Sequence, residues 1–158
     1  MRGVLGINNA TLDNVVVLAG RLLLAWIFVH EGALLALNYD AASAGMAKMG
    51  VPAAALIPTI ALQLVAGLAI AVGWNARSAA AALGLFCLAT AFLFHNNFAN
   101  RNELLHFEKD LAIAGGMFVL MLRGAGSLSV DAYVRQNAPH ESSGRLTNGQ
   151  IAAKQQTS

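Results

Sequence analysis

Residues 104–123 read LLHFEKDLAIAGGMFVLMLR, and the reading of this stretch decides the fold. Its wholly apolar part, residues 111–122, is closed by Arg123. At about 1.5 Å per residue that run covers only about 18 Å. The hydrocarbon core of a bilayer, about 30 Å thick, needs roughly 20 residues. A spanning helix must therefore borrow its first turns from Leu104, Leu105, His106, Phe107, Glu108, Lys109 and Asp110. Ionisable groups then lie at membrane depth, where they are costly and as a rule face the bundle interior. Asp110 is the deepest of them and the first place to look for function.

The bulk composition points the same way. Of the 158 residues, 57% are hydrophobic and 11% charged, with a mean hydropathy of +0.58. Soluble domains carry about 25% charged residues. A chain this short cannot hide so much apolar surface in a water-soluble core. The net charge is +2 with 10 Lys+Arg and no basic run, which leaves nucleic-acid binding without support. The single Cys87 cannot form an internal disulfide and reads as a small buried or lipid-facing residue.

Working outward, four apolar segments approach the spanning length: residues 15–37, 52–74, 77–98 and 104–123. They predict an all-α, integral-membrane four-helix bundle over residues 1–135, with no second domain and no repeat. The first segment contains Arg21, His30 and Glu31; the second has no charge and holds Pro58. Ala66, Gly67, Ala71, Gly84, Ala114, Gly115 and Gly116 are small enough to let helices approach closely in lipid. Ala42-Ser43-Ala44 could pass for a signal-peptide cleavage site. The long first segment, interrupted by His30-Glu31, argues instead for a retained helix. Residues 38–51 read as a loop with a short interfacial helix around residues 43–49. Residues 136–158 are polar and aperiodic and read as a disordered tail.

Basic residues orient the bundle. Arg2, Arg77, Arg123, Arg135, Arg145 and Lys154 fall on one side, and Lys48, Arg101 and Lys109 on the other. The positive-inside rule places both termini in the cytoplasm, and the expected location is the inner membrane. His30 and Glu31, then His95, Asn96 and Asn97, then Glu103, His106, Lys109 and Asp110 converge at one depth near the external face. Glu103, His106 and Asp110, spaced i, i+3 and i+7, share one helical face. Such a group can ligate a metal or haem, shuttle protons, or hydrogen-bond a quinone head group. It can equally be a structural network, with His30–Glu31 and His106–Asp110 pairs joining helices. No His-Glu-x-x-His or Cys-x-x-Cys spacing marks a metal site. Arg21, two turns inside the cytoplasmic end, snorkels outward or forms a clamp with Asp131, with Asp13, an interfacial residue, as a third option. Trp26, Trp74, Phe92, Phe94 and Phe98 read as packing or belt residues.

In their order along the chain, several pieces resemble the DoxX family of small four-helix membrane proteins, over roughly residues 21–131. They are Arg21-Leu22-Leu23-Leu24, Phe28-Val29-His30-Glu31-Gly32, Gly50-Val51-Pro52, Gly67, and Gly73-Trp74-Asn75-Ala76-Arg77-Ser78-Ala79-Ala80. His95, Phe107-Glu108-Lys109-Asp110-Leu111-Ala112, Gly115-Gly116 and Gly124-Ala125-Gly126-Ser127-Leu128-Ser129-Val130-Asp131 complete them. The family commonly has a glutamate a few residues before the glycine matched to Gly67, where this chain has Gln63. Glutamine hydrogen-bonds but carries no proton in this pH range, which weighs against proton handling by that helix.

The resemblance implies fold and location more firmly than activity, since the family includes quinone-linked subunits, components of oxidative-stress complexes and uncharacterised proteins. It implies an accessory subunit of a quinone-linked or oxidative-stress redox complex, with oxidoreductase partners and no independent enzyme activity. Any electron carrier must come from outside, because the chain has no nucleotide-binding glycine loop, flavin motif or thiol pair. A non-catalytic scaffold or assembly factor is the alternative. A small-solute transporter would need a homo-oligomer, since neither half-helix breaks nor an inverted repeat is visible.

Overall fold

The computed structural model describes residues 9–95 and 98–138. Among them lie six α-helices and no strand. They are α1 (Asn9–Leu37), α2 (Tyr39–Lys48), α3 (Leu56–Val72), α4 (Ala76–Phe94), α5 (Arg101–Arg123) and α6 (Val130–Asn137). A 3-10 turn, Ala53–Ala55, leads into α3. Asn96, Asn97 and residues 139–158, with most of the expected tail, fall outside the described residues.

The long helices α1, α3, α4 and α5 build one core. Ala25 and Phe28 meet Ala66 and Ile70, then Ala80, Leu83 and Cys87, then Ala114, Met117 and Leu120. The closest packing joins α4 to α5 and α1 to α3. Small residues set the spacing, as expected for helices in lipid. A Cβ at Gly84 would lie 2.9 Å from Phe118 and 3.2 Å from the Met117 Cβ. Not every glycine serves this purpose, for Gly115 has nothing within 4 Å of its Cβ position.

The outer faces are apolar. Leu23 on α1, Val65 on α3, Leu93 on α4 and Leu122 on α5 are 74%, 66%, 69% and 72% exposed. A water-soluble surface does not present large aliphatic side chains on every long helix; a lipid-facing one does. By length and composition, three helices can cross a membrane: Asn9–Leu37, Ala53–Val72 and Ala76–Phe94. With 23 residues α5 is about 35 Å long. Its first half carries Arg101, Glu103, Glu108, Lys109 and Asp110, and it falls outside that apolar group.

Local chemistry explains the boundaries. α1 has 29 residues, about 44 Å, and starts six residues before the expected segment. Pro58 is the third residue of α3, where its missing N–H would have no intrahelical partner. Gly73 ends α3 at φ 73°, a left-handed cap. No side chain fits there, since a Cβ would lie 2.5 Å from the Ser129 Cβ and 2.8 Å from Arg21 Nη1. The Asn100 side chain caps α5 by accepting from the Asn102 amide. α2 is an element in its own right, longer than the interfacial helix expected there. α6 continues through Gln136 and Asn137, the first residues assigned to the tail.

Candidate functional site

The polar residues expected to converge divide into three groups. His30 is on the outside of the bundle, where its ring stacks on Trp26 with centroids 5.7 Å apart. Its Nδ1 is 3.9 Å from Glu31 Oε1, and both side chains are about half exposed. His30 is thus separated from the other histidines.

The second group lies at the α4–α5 end. The His95 Nδ1–H donates to Glu103 Oε2 at 2.7 Å, the shortest polar contact between these helices. The His95 and His106 rings stack at 5.1 Å. The Lys109 ammonium donates to His106 Nδ1 at 3.3 Å. Phe92, Phe98 and Phe107 pack edge to face beside them. Among the described residues no group of three or more His, Cys, Asp or Glu converges to hold a metal.

The third group lies farther along α5, nearer its middle. Asp110 Oδ2 is 3.1 Å from the Thr90 hydroxyl, which also lies 3.2 Å from the Phe86 carbonyl and 3.0 Å from that of Cys87. The single Thr90 proton is shared among three acceptors, so Asp110 keeps capacity for another donor. Asp110, Thr90, Lys109 and Glu31 line a recess of about 190 Å³ between α1, α3, α4 and α5. Gln63 of α3 belongs to the same wall. It is 5% exposed, and its Oε1 has no hydrogen-bond partner among the described residues. A buried acceptor left unmatched costs about 1–3 kcal/mol.

An apolar cavity of about 380 Å³ adjoins the recess, walled by Met46, Met49, Leu56, Leu93 and Phe94. Leu35, Gln63, Phe86 and Thr90 border both spaces. The pair therefore offers a polar end beside an apolar chamber, the arrangement that binds a small amphiphile. Spacing on α5 pointed to Asp110. Gln63 was visible as the lone amide of an apolar segment, whereas nothing in the sequence distinguished Thr90 from any hydroxyl bonded back to its own helix.

At the opposite end Arg21 is 3% exposed. Its Nη1 donates to the Ala125 carbonyl at 2.6 Å, and Nη2 to those of Leu128 at 2.9 Å and Ala71 at 3.3 Å. Asp131 accepts from the Asn75 amide at 2.8 Å and the Ala76 amide at 3.2 Å. Arg21 and Asp131 occupy one junction, each bound to backbone; the ion pairs among the described residues are His30–Glu31 and His95–Glu103.

Comparison with known proteins places this geometry in context. The DoxX family model matches residues 16–96. Inner membrane protein YqjF of Escherichia coli (strain K12) is 39% identical over 120 residues, covering 76% of this chain and 92% of the relative. Inner membrane protein YphA of the same organism is 27% identical over 124 residues, covering 74% and 89%. No solved structure matches the chain.

Proposed function

The chain belongs to the DoxX family of inner-membrane proteins, and from that premise we propose that it is an accessory subunit of a quinone-linked redox system. In this reading it crosses the membrane four times, with both termini in the cytoplasm and α5 as the fourth span. The observation that carries the proposal is the unpartnered Gln63 Oε1 in a recess that also holds Asp110 and Thr90. An orphaned acceptor calls for a ligand donor, which the hydroxyl of a quinol supplies. The Gln63 amide and the Asp110 carboxylate would hold the head group, while the cavity walled by Met46, Met49, Leu56 and Phe94 would take its apolar tail.

A bound quinone supplies two-electron, two-proton chemistry; the chain's own groups would manage protons and position. Lys109 lines the recess and bonds to His106, which stacks on His95, which bonds to Glu103. These titratable groups lead from the recess to the rim. Gln63 itself carries no proton, so it would act as an anchor and Asp110 as the proton acceptor. Arg21 and Asp131 would hold the cytoplasmic end.

The test is purification of the full chain from its native membrane in mild detergent, with assay of co-extracted quinone and of co-purifying proteins. The wild type is expected to retain quinone and an oxidoreductase, and Gln63→Leu and Asp110→Asn to lose the quinone while remaining folded. A quinone-free wild type carrying a stoichiometric oxidoreductase would overturn the site and leave the scaffold reading.

A further inference from the structure

The end of the molecule opposite the polar recess carries a second concavity, of about 430 Å³, that the redox reading does not use. Arg77 at the start of α4, Arg123 at the end of α5 and Arg135 on α6 all contribute to its wall. Three helices thus place three arginines on the wall of one space. One carboxylate, Asp131, shares the wall; each of its oxygens accepts one backbone amide, from Asn75 and Ala76, and its single negative charge leaves the three arginines in excess by two. None of the three arginines forms an ion pair among the described residues. Gathering an excess of positive charge is unfavourable, and a further anion would relieve what Asp131 leaves unbalanced.

We infer that this recess binds a phosphate group. Guanidinium forks match the oxygens of phosphate in pairs, where a lysine would offer only a point charge. The backbone leaves room for such a fork: Gly124 has φ 78°, and a Cβ there would lie 3.1 Å from Arg77 Nε. The surroundings suit a headgroup at the membrane surface. Trp74, on the same wall, is 60% exposed, as is usual for a tryptophan at the interface. Leu122 precedes Arg123 and presents its side chain outward. An anionic phospholipid would place its phosphate among the arginines and its chains along the outer face of α5. Basic pockets at the cytoplasmic ends of membrane helices bind headgroups in this way. Free phosphate presents the same oxygens without the chains.

The experiment uses the full chain, stripped of lipid and reconstituted in phosphatidylcholine nanodiscs. In one arm phosphatidylglycerol is added and retained lipid is counted by native mass spectrometry. In the other, inorganic phosphate is titrated and thermal unfolding followed. Phosphatidylglycerol retained by the wild type assigns the site to a lipid; stabilisation by inorganic phosphate alone assigns it to a soluble phosphate. In either case Arg77→Gln with Arg135→Gln is expected to weaken binding about ten-fold or more. Lys48→Gln with Arg101→Gln, which removes equal charge elsewhere, is expected to leave it unchanged. Should the first double variant fail to fold, Arg135→Gln alone on the exposed face of α6 is expected to lose about three-fold. Absence of binding in both arms, or equal loss in the two double variants, overturns the inference.

Discussion

Gln63 and Arg21 are both buried polar side chains, and they differ in how much of their hydrogen-bonding capacity the backbone meets. Among the described residues Gln63 Oε1 and Arg21 Nε are both left without a partner, but Arg21 spends its two terminal nitrogens on three carbonyls, one in α3 and two in the loop between α5 and α6. Removing them should therefore have effects of opposite sign. Gln63→Leu replaces an unmatched amide by a side chain of similar bulk. It is expected to raise stability by about 1–2 kcal/mol, read as a higher unfolding temperature in detergent. If the same variant also loses bound quinone, stability and function compete at this position. Arg21→Lys keeps the charge but not the planar fork. Its expected cost is about 1–3 kcal/mol, by the same unfolding measurement, because at least one carbonyl among Ala71, Ala125 and Leu128 loses its donor. An unchanged unfolding temperature in Arg21→Lys would mean that the fork geometry contributes nothing.

At the scale of elements, α6 is an eight-residue helix that does the work of a cap. Its Asp131 satisfies two amides at the start of α4, where a negative charge also complements the helix dipole. Asp131→Ala is expected to cost about 1–2 kcal/mol and to increase hydrogen exchange at Asn75 and Ala76 before the rest of α4. Uniform exchange along α4 would argue against a local cap. This helix was illegible in the sequence, because eight residues, half of them polar, carry no apolar stripe long enough to detect. The long helices were legible because runs of apolar residues at membrane length have few other solutions. The common face of Glu103, His106 and Asp110 was legible from helical period alone, and all three side chains meet His95, which ends α4, or Thr90 within it. What spacing does not encode is the rotation of one helix against another. His30 and Glu31 are neighbours about 100° apart around α1, and the packing of α1 on α3 turned the first outward and brought the second to the recess wall.

For the molecule as a whole, the expected arrangement puts the arginine recess in the cytoplasm and the His95–Glu103 contact outside. Single cysteines test it in a Cys87→Ser background, using a membrane-impermeant thiol reagent. Arg101→Cys should be labelled in intact spheroplasts, and Asn137→Cys only after the membrane is opened. The reverse pattern would invert the topology, and labelling of both in intact spheroplasts would remove α5 as a span. One dimension of the fold bears on the surrounding lipid. α1 is about 44 Å long, against about 30 Å of hydrocarbon, and even a 40° tilt shortens its vertical reach only to about 33 Å. Its first turns carry exposed Leu12, Val15 and Val16, so aliphatic surface continues beyond what an average bilayer covers. A thicker membrane would cover that surface and a thinner one would strip it, which makes this helix a gauge of bilayer thickness.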